Sequence, residues 1–89
     1  SFFSGSPVKR IGRDRFVRNA LIAAGNSGDR TLIQPCLKLA EDSSPVVRGM
    51  AVWALKRLMP PQEFEQLALL RKDERDPYVL DEWQSAGAA

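Results

Sequence analysis

The sequence predicts an all-α domain, a right-handed α–α superhelix of about five helices, on three observations. Apolar residues recur at helical spacing in successive segments, with no alternating strand pattern anywhere. Helix-opening devices divide these segments: Ser44 before Pro45, Pro60 before Pro61, and Asp76 before Pro77. The order also repeats. A shift of 30 residues lays Val17 and Arg18 on Val47 and Arg48, Ala24 on Ala54 and Leu37 on Leu67, while "DPYV" falls on "SPVV" at a shift of 32. Two helical hairpins and a half repeat make a solenoid fragment, in which each unit buries its apolar face only against its neighbours.

The first helix is expected to begin near Arg13 or Asp14 and to carry Phe16, Val17, Ala20, Leu21, Ala23 and Ala24 as a broad apolar stripe. Gly25 and Asn26, both tolerant of positive φ, suit its end. Asp29 offers a cap to a second helix buried through Leu32, Ile33, Cys36, Leu37 and Ala40. The third opens at Ser44–Pro45 and runs through Val46, Val47, Met50, Ala51, Val52, Ala54, Leu55 and Leu58, apolar almost all round and therefore central. The fourth opens at Pro61 with Phe64, Leu67, Ala68 and Leu70, and the fifth at Pro77 with Tyr78, Val79, Leu80 and Trp83. The repeat domain thus spans 13–85, between a basic segment 1–12 and a frayed tail 86–89.

At 89 residues, with 44% hydrophobic and 27% charged side chains, the chain can hold one modest core and belongs with globular domains rather than disordered ones. No run approaches the ~20 apolar residues of a membrane span, and "SFFSGSPVKR" places its charges after its apolar pair, the reverse of a secretion signal. A cytoplasmic location is the expectation. One cysteine and no histidine exclude an internal disulfide, a Cys/His zinc site, a Cys-His pair and a Ser-His-Asp triad within these residues. "GNSGD" lacks the lysine and the strand of a phosphate loop.

Charge is distributed unevenly. Residues 1–18 carry Lys9, Arg10, Arg13, Arg15 and Arg18 against Asp14, a net of +4, while residues 19–89 hold eight basic and ten acidic side chains, a net of −2. Cations at a helix start oppose its dipole, and guanidinium forks suit phosphate, so these five are candidate contacts for nucleic acid or another anionic partner, with a solvated helix face and linker the alternative. The alternative for Arg18 is an ion pair with an acid of the next repeat, as Arg48 is expected to make with Asp42 or a neighbour. Cys36 reads as a buried, inert thiol and Trp53 as core. Tyr78 and Trp83 read as closing the solenoid, with base stacking the alternative. Asn19 either bridges repeats or faces a ligand, and Glu41–Asp42 and Asp81–Glu82 read as surface charge.

"SPVVRGMAVWAL" resembles a HEAT-type repeat. "GSPVKRIGRDRFVRNALIAAGNSGD", "SPVVRGMAVWALKRL" and "DPYVLDEW" together closely resemble the C-terminal HEAT-like region of epoxyqueuosine reductases, over nearly the whole chain. Leu80 departs from that pattern, which has an arginine there. The resemblance implies a parent enzyme that uses cobalamin and [4Fe-4S] clusters to reduce epoxyqueuosine in tRNA. The cofactor domain and a ferredoxin-like module would precede these residues, and the fragment itself would hold no cofactor and catalyse nothing. It also implies that residues 1–12 join the repeats to that module, with Phe2 and Phe3 packed on it, and that the repeats help hold the tRNA anticodon stem-loop. The competing expectation is a protein–protein interaction scaffold or a brace for the parent's own domains.

Overall fold

A computed structural model describes the backbone of residues 7–85 and the side chains of residues 12–84; Phe2, Phe3, the tail 86–89 and the side chains of Lys9 and Arg10 lie outside it. The order is α1 (Pro7–Ser27), a 3-10 turn (Arg30–Leu32), α2 (Ile33–Leu39), α3 (Pro45–Leu58), α4 (Pro61–Leu69) and α5 (Pro77–Ser85). The five α-helices match the expected class, and no strand occurs among the described residues.

The ends of α1 depart from expectation. It starts at Pro7, not near Arg13, because a proline with preset φ is favoured at the first helical position. Gly12, which reads as linker in sequence, is accommodated inside the helix at a cost of about 1 kcal/mol relative to alanine. Gly25 and Asn26 do not stop α1 either. Gly25 is buried against the ring of Trp53 and the backbone of Ala54, where a β-carbon would collide, so its role is close helix contact. The stop falls on Gly28, whose φ of 71° only glycine adopts at little cost. Ser27 reinforces it, donating through Oγ to the Ala24 carbonyl at 2.6 Å and accepting the Asp29 N–H at 3.1 Å. Asp29 then caps the 3-10 turn, accepting from the Thr31 N–H at 2.9 Å and its hydroxyl at 2.6 Å, and these bonds lower its carboxyl pKa.

Helix α3 packs against the other four α-helices, most extensively against α1, α5 and α2. Ser44 caps it at the Val47 N–H, and Val47, Ala51, Val52, Ala54 and Leu55 are completely buried. Around them lie Leu21 of α1, Cys36 of α2, Phe64 of α4, and Val79 and Trp83 of α5. Trp83 closes this core as expected, stacked on Phe64 with ring centroids 5.3 Å apart. Burial pushes the Cys36 thiol pKa up, which fits an inert side chain. Trp53 reaches only the rim of the core, and Arg57 covers its ring at 5.1 Å while its Nε–H donates to the Gly25 carbonyl.

Several residues of the expected apolar faces are exposed, among them Ala20, Ala23 and Val46. Phe16 is 74% exposed because the inward line of α1 is Val17, Leu21 and Ala24, and Leu70 is 77% exposed because α4 ends before it. Two substitutions test this packing by thermal and urea unfolding. Leu55→Ala should cost about 3 kcal/mol by leaving a cavity, and Gly25→Ala about 1–3 kcal/mol by displacing Trp53, with a larger loss from Gly25 meaning that the helix path itself depends on it.

Candidate nucleic-acid interface

The structure divides the cations into those that join repeats and those that face solvent. Arg13 of α1 reaches the turn before α3, donating two hydrogen bonds to Asp42 at 2.7 and 3.1 Å and one to Asp14 at 2.9 Å. Asp42 above all, and then Asp14, raises the Arg13 pKa. Asp42 also accepts the Ser44 N–H at 3.0 Å, so one carboxylate fixes the entry of α3 and tethers it to α1. The same device recurs one repeat later. Arg48 of α3 donates to both oxygens of Glu74, at 2.9 and 3.0 Å, and Glu74 accepts the Asp76 N–H at 3.0 Å at the entry of α5.

The acid that pairs with Arg48 is Glu74 rather than Asp42, whose carbonyl, with that of Ser43, accepts from the Arg48 Nη1. Further pairs run from Lys56 to Glu82 at 2.7 Å and from Arg71 to Glu41 at 2.9 Å. Asp42 and Glu82 are therefore half-buried joints rather than surface charge, which corrects the reading of those two acids; Glu41 and Asp81 are exposed, as expected, although Glu41 also pairs with Arg71. The signal for these joints is present in the sequence: an acid stands two residues before each cap, Asp42 before Ser44 and Glu74 before Asp76.

Arg15 and Arg18 are exposed and make no ion pair among the described residues. Three residues apart, they lie on neighbouring positions of α1, about one turn from each other. The pairing considered for Arg18 is not made among the described residues, and Asp42 pairs with Arg13 instead. Asn19 is exposed beside them and forms no side-chain hydrogen bond among the described residues, so it bridges nothing there. Lys9 and Arg10 belong to the first turns of α1, a stretch without an acid in its first turn. Arg18 lies near enough to Tyr78 to act on its hydroxyl, but burial dominates there and raises the phenol pKa. Tyr78 lies against Gly49, where any β-carbon would strike its ring, so it closes the stack between α3 and α5.

Two apolar grooves complete the surface. One, of about 470 Å³, lies between α1 and α2 and is lined by residues including Ala20, Ala24, Leu32 and Leu39. The other, of about 420 Å³, lies between α4 and α5. Among the described residues no grouping of His, Cys, Asp and Glu could hold a metal, and no helix is long and apolar enough to cross a membrane.

Residues 13–86 match the HEAT-repeat family, and the chain belongs to it. The chain is 36% identical over 72 residues, 80% of its length, to an uncharacterized protein in the gldA 3' region of Geobacillus stearothermophilus. It spans 33% of that relative's length. No solved structure matches it.

The joint at Glu74 gives a pH-dependent prediction. The Arg48 guanidinium, with two backbone N–H groups, holds the Glu74 carboxyl below its ordinary pKa. Its stabilisation is complete above the unfolded pKa of about 4.3 and is lost as pH falls through the lower native pKa. Glu74→Gln should lower stability by about 1–2 kcal/mol at pH 7 and flatten the acid limb of the stability profile below about pH 4.5. Unfolding curves from about pH 2 to 7 check both, and an unchanged acid limb would remove Glu74 from that role.

Proposed function

We propose that this HEAT-repeat domain holds the anticodon stem-loop of a tRNA for an epoxyqueuosine reductase-like tRNA-modifying enzyme, with the redox chemistry carried by domains outside these residues. The carrying observation is the separation of cations: Arg13, Arg48, Lys56 and Arg71 are committed to joints, whereas Arg15 and Arg18 make no ion pair among the described residues. Helix α1 also carries Lys9 and Arg10 ahead of them. These four supply charge to phosphates, and Arg13 keeps α1 fixed to the α2–α3 turn. A tRNA substrate would place the protein in the cytoplasm.

Cobalamin and [4Fe-4S] clusters belong to the parent reading, and the residues present do not fit a cluster, which takes several thiolates where this chain has one buried cysteine. The first turns of α1 would adjoin the preceding domains. A second reading, a protein–protein scaffold or structural brace, is favoured by a different observation, the apolar grooves at α1–α2 and α4–α5.

Titration of the chain into a fluorescent tRNA anticodon stem-loop tests the RNA reading. Four phosphate contacts predict a log–log salt slope of about −3. The double variant Arg15→Glu, Arg18→Glu should weaken binding about tenfold or more while unfolding as the parent chain does, because neither residue is in a joint. Binding that ignores both salt and the double substitution would reject the RNA reading and leave the scaffold.

A further inference from the structure

We infer that an exposed line of side chains across α1, α3 and α5, made by Phe16, Val46 and Tyr78, takes unpaired loop nucleotides of the RNA, with bases stacked on Phe16 and Tyr78 and phosphates held by Arg15 and Arg18. This rests on the RNA reading above and deepens it, from charge on one helix to a strip that tells a loop from a stem.

The line is built by the repeat itself. At the shifts of 30 and 32, Phe16 of α1, Val46 of α3 and Tyr78 of α5 are counterparts. They are 74%, 46% and 43% exposed, while the residue after each, Val17, Val47 or Val79, turns inward to the core. Val46 and Tyr78 each have an odd-numbered helix packed ahead of them, α1 and α3 respectively, so exposure at this position belongs to the repeat and not to where the sequence begins. With neighbouring helix axes about 8–10 Å apart, the line runs for roughly 15–20 Å across the domain.

One of its rings is positioned in advance. Tyr78 is held against Gly49, where no side chain could fit, and its remaining surface is open. A ring fixed by the fold on one side loses little freedom when a base stacks on the other. Phe16 makes no ring contact among the described residues.

The groups beside the line select its occupant. Arg15 and Arg18 stand on either side of Phe16 in α1, exposed and without an ion pair among the described residues, and Arg18 lies within electrostatic reach of the Tyr78 hydroxyl. Asn19, one turn beyond Phe16 and also exposed, offers an amide to a base edge. Glu82, the acid that acts on Tyr78, pairs with Lys56 at 2.7 Å, whereas exposed Asp81 on α5 disfavours phosphate there. Phosphates therefore lie over α1, and Tyr78 meets a base. Rings for bases, guanidinium groups for phosphates and an amide for base edges are the chemistry that recognises single-stranded RNA. A duplex stem keeps its bases stacked and would leave both rings uncovered.

The test compares a fluorescent anticodon stem-loop with a blunt duplex of the same stem, each titrated with the 89-residue chain. The stem-loop should bind at least about tenfold more tightly, and abasic loop nucleotides, which keep every phosphate, should remove that advantage. Phe16→Leu and Tyr78→Leu should each weaken stem-loop binding about fivefold or more while leaving duplex affinity and the stem-loop salt slope unchanged, since no phosphate contact is lost. Tyr78→Phe, which keeps the ring, should bind as the parent chain does. The abasic loop needs no change in the protein, and Phe16 is in solvent, so the result does not hinge on how Tyr78→Leu folds. Equal affinity for stem-loop, abasic loop and duplex, or leucine variants that bind the stem-loop undiminished, would overturn the inference; the RNA reading would still stand if binding remained salt-dependent and fell with Arg15→Glu, Arg18→Glu. Absence of binding to either RNA would overturn both.

Discussion

Burial of α3 on nearly every side is the constraint on which the rest of the structure depends. A domain this small gains stability from a single core, and its largest fully buried side chains either belong to α3, as Val47, Val52 and Leu55 do, or join its core cluster from a neighbouring helix, as Cys36, Phe64 and Val79 do. Close approach is what makes that burial possible. Gly25 lets α1 come down on Trp53, and Gly49 lets Tyr78 of α5 come down on α3. A residue with a side chain at either point would hold the layers apart and open the core between them.

Hydrophobic burial does not fix the register of one hairpin on the next, and the carboxylate joints do. Asp42 and Glu74 each join an arginine of the preceding odd-numbered helix to the backbone entry of the following one, so the cap and the inter-repeat tether are the same group. Asp42 is taken by Arg13, while Arg18, the repeat counterpart of Arg48, makes no ion pair among the described residues.

Helix class, helix number and most of the core are legible in the sequence, because proline openings and apolar spacing are local signals. Ser44–Pro45, Asp29 and Asp76–Pro77 act where local chemistry places them. Contacts between distant residues decide the rest. Gly25 reads as a helix stop until Trp53 is seen against it, and Phe16 and Leu70 read as core until the inward line of each helix is known. The start of α1 is hidden although Ser6–Pro7 repeats the Ser44–Pro45 sequence, because the apolar stripe begins only at Phe16. The candidate site is legible as a count of positive charges; which guanidinium groups are committed and which are not depends on acids 26 to 30 residues away in sequence.

The most direct test of this division is an NMR spectrum of the arginine guanidinium N–H groups, recorded before and after addition of an anticodon stem-loop. Arg13 and Arg48, held by carboxylates, should give slowly exchanging signals that RNA does not move, whereas Arg15 and Arg18 should become protected and shift as RNA is added. Shifts centred on Arg13 and Arg48, or confined to α4 and α5, would contradict the account.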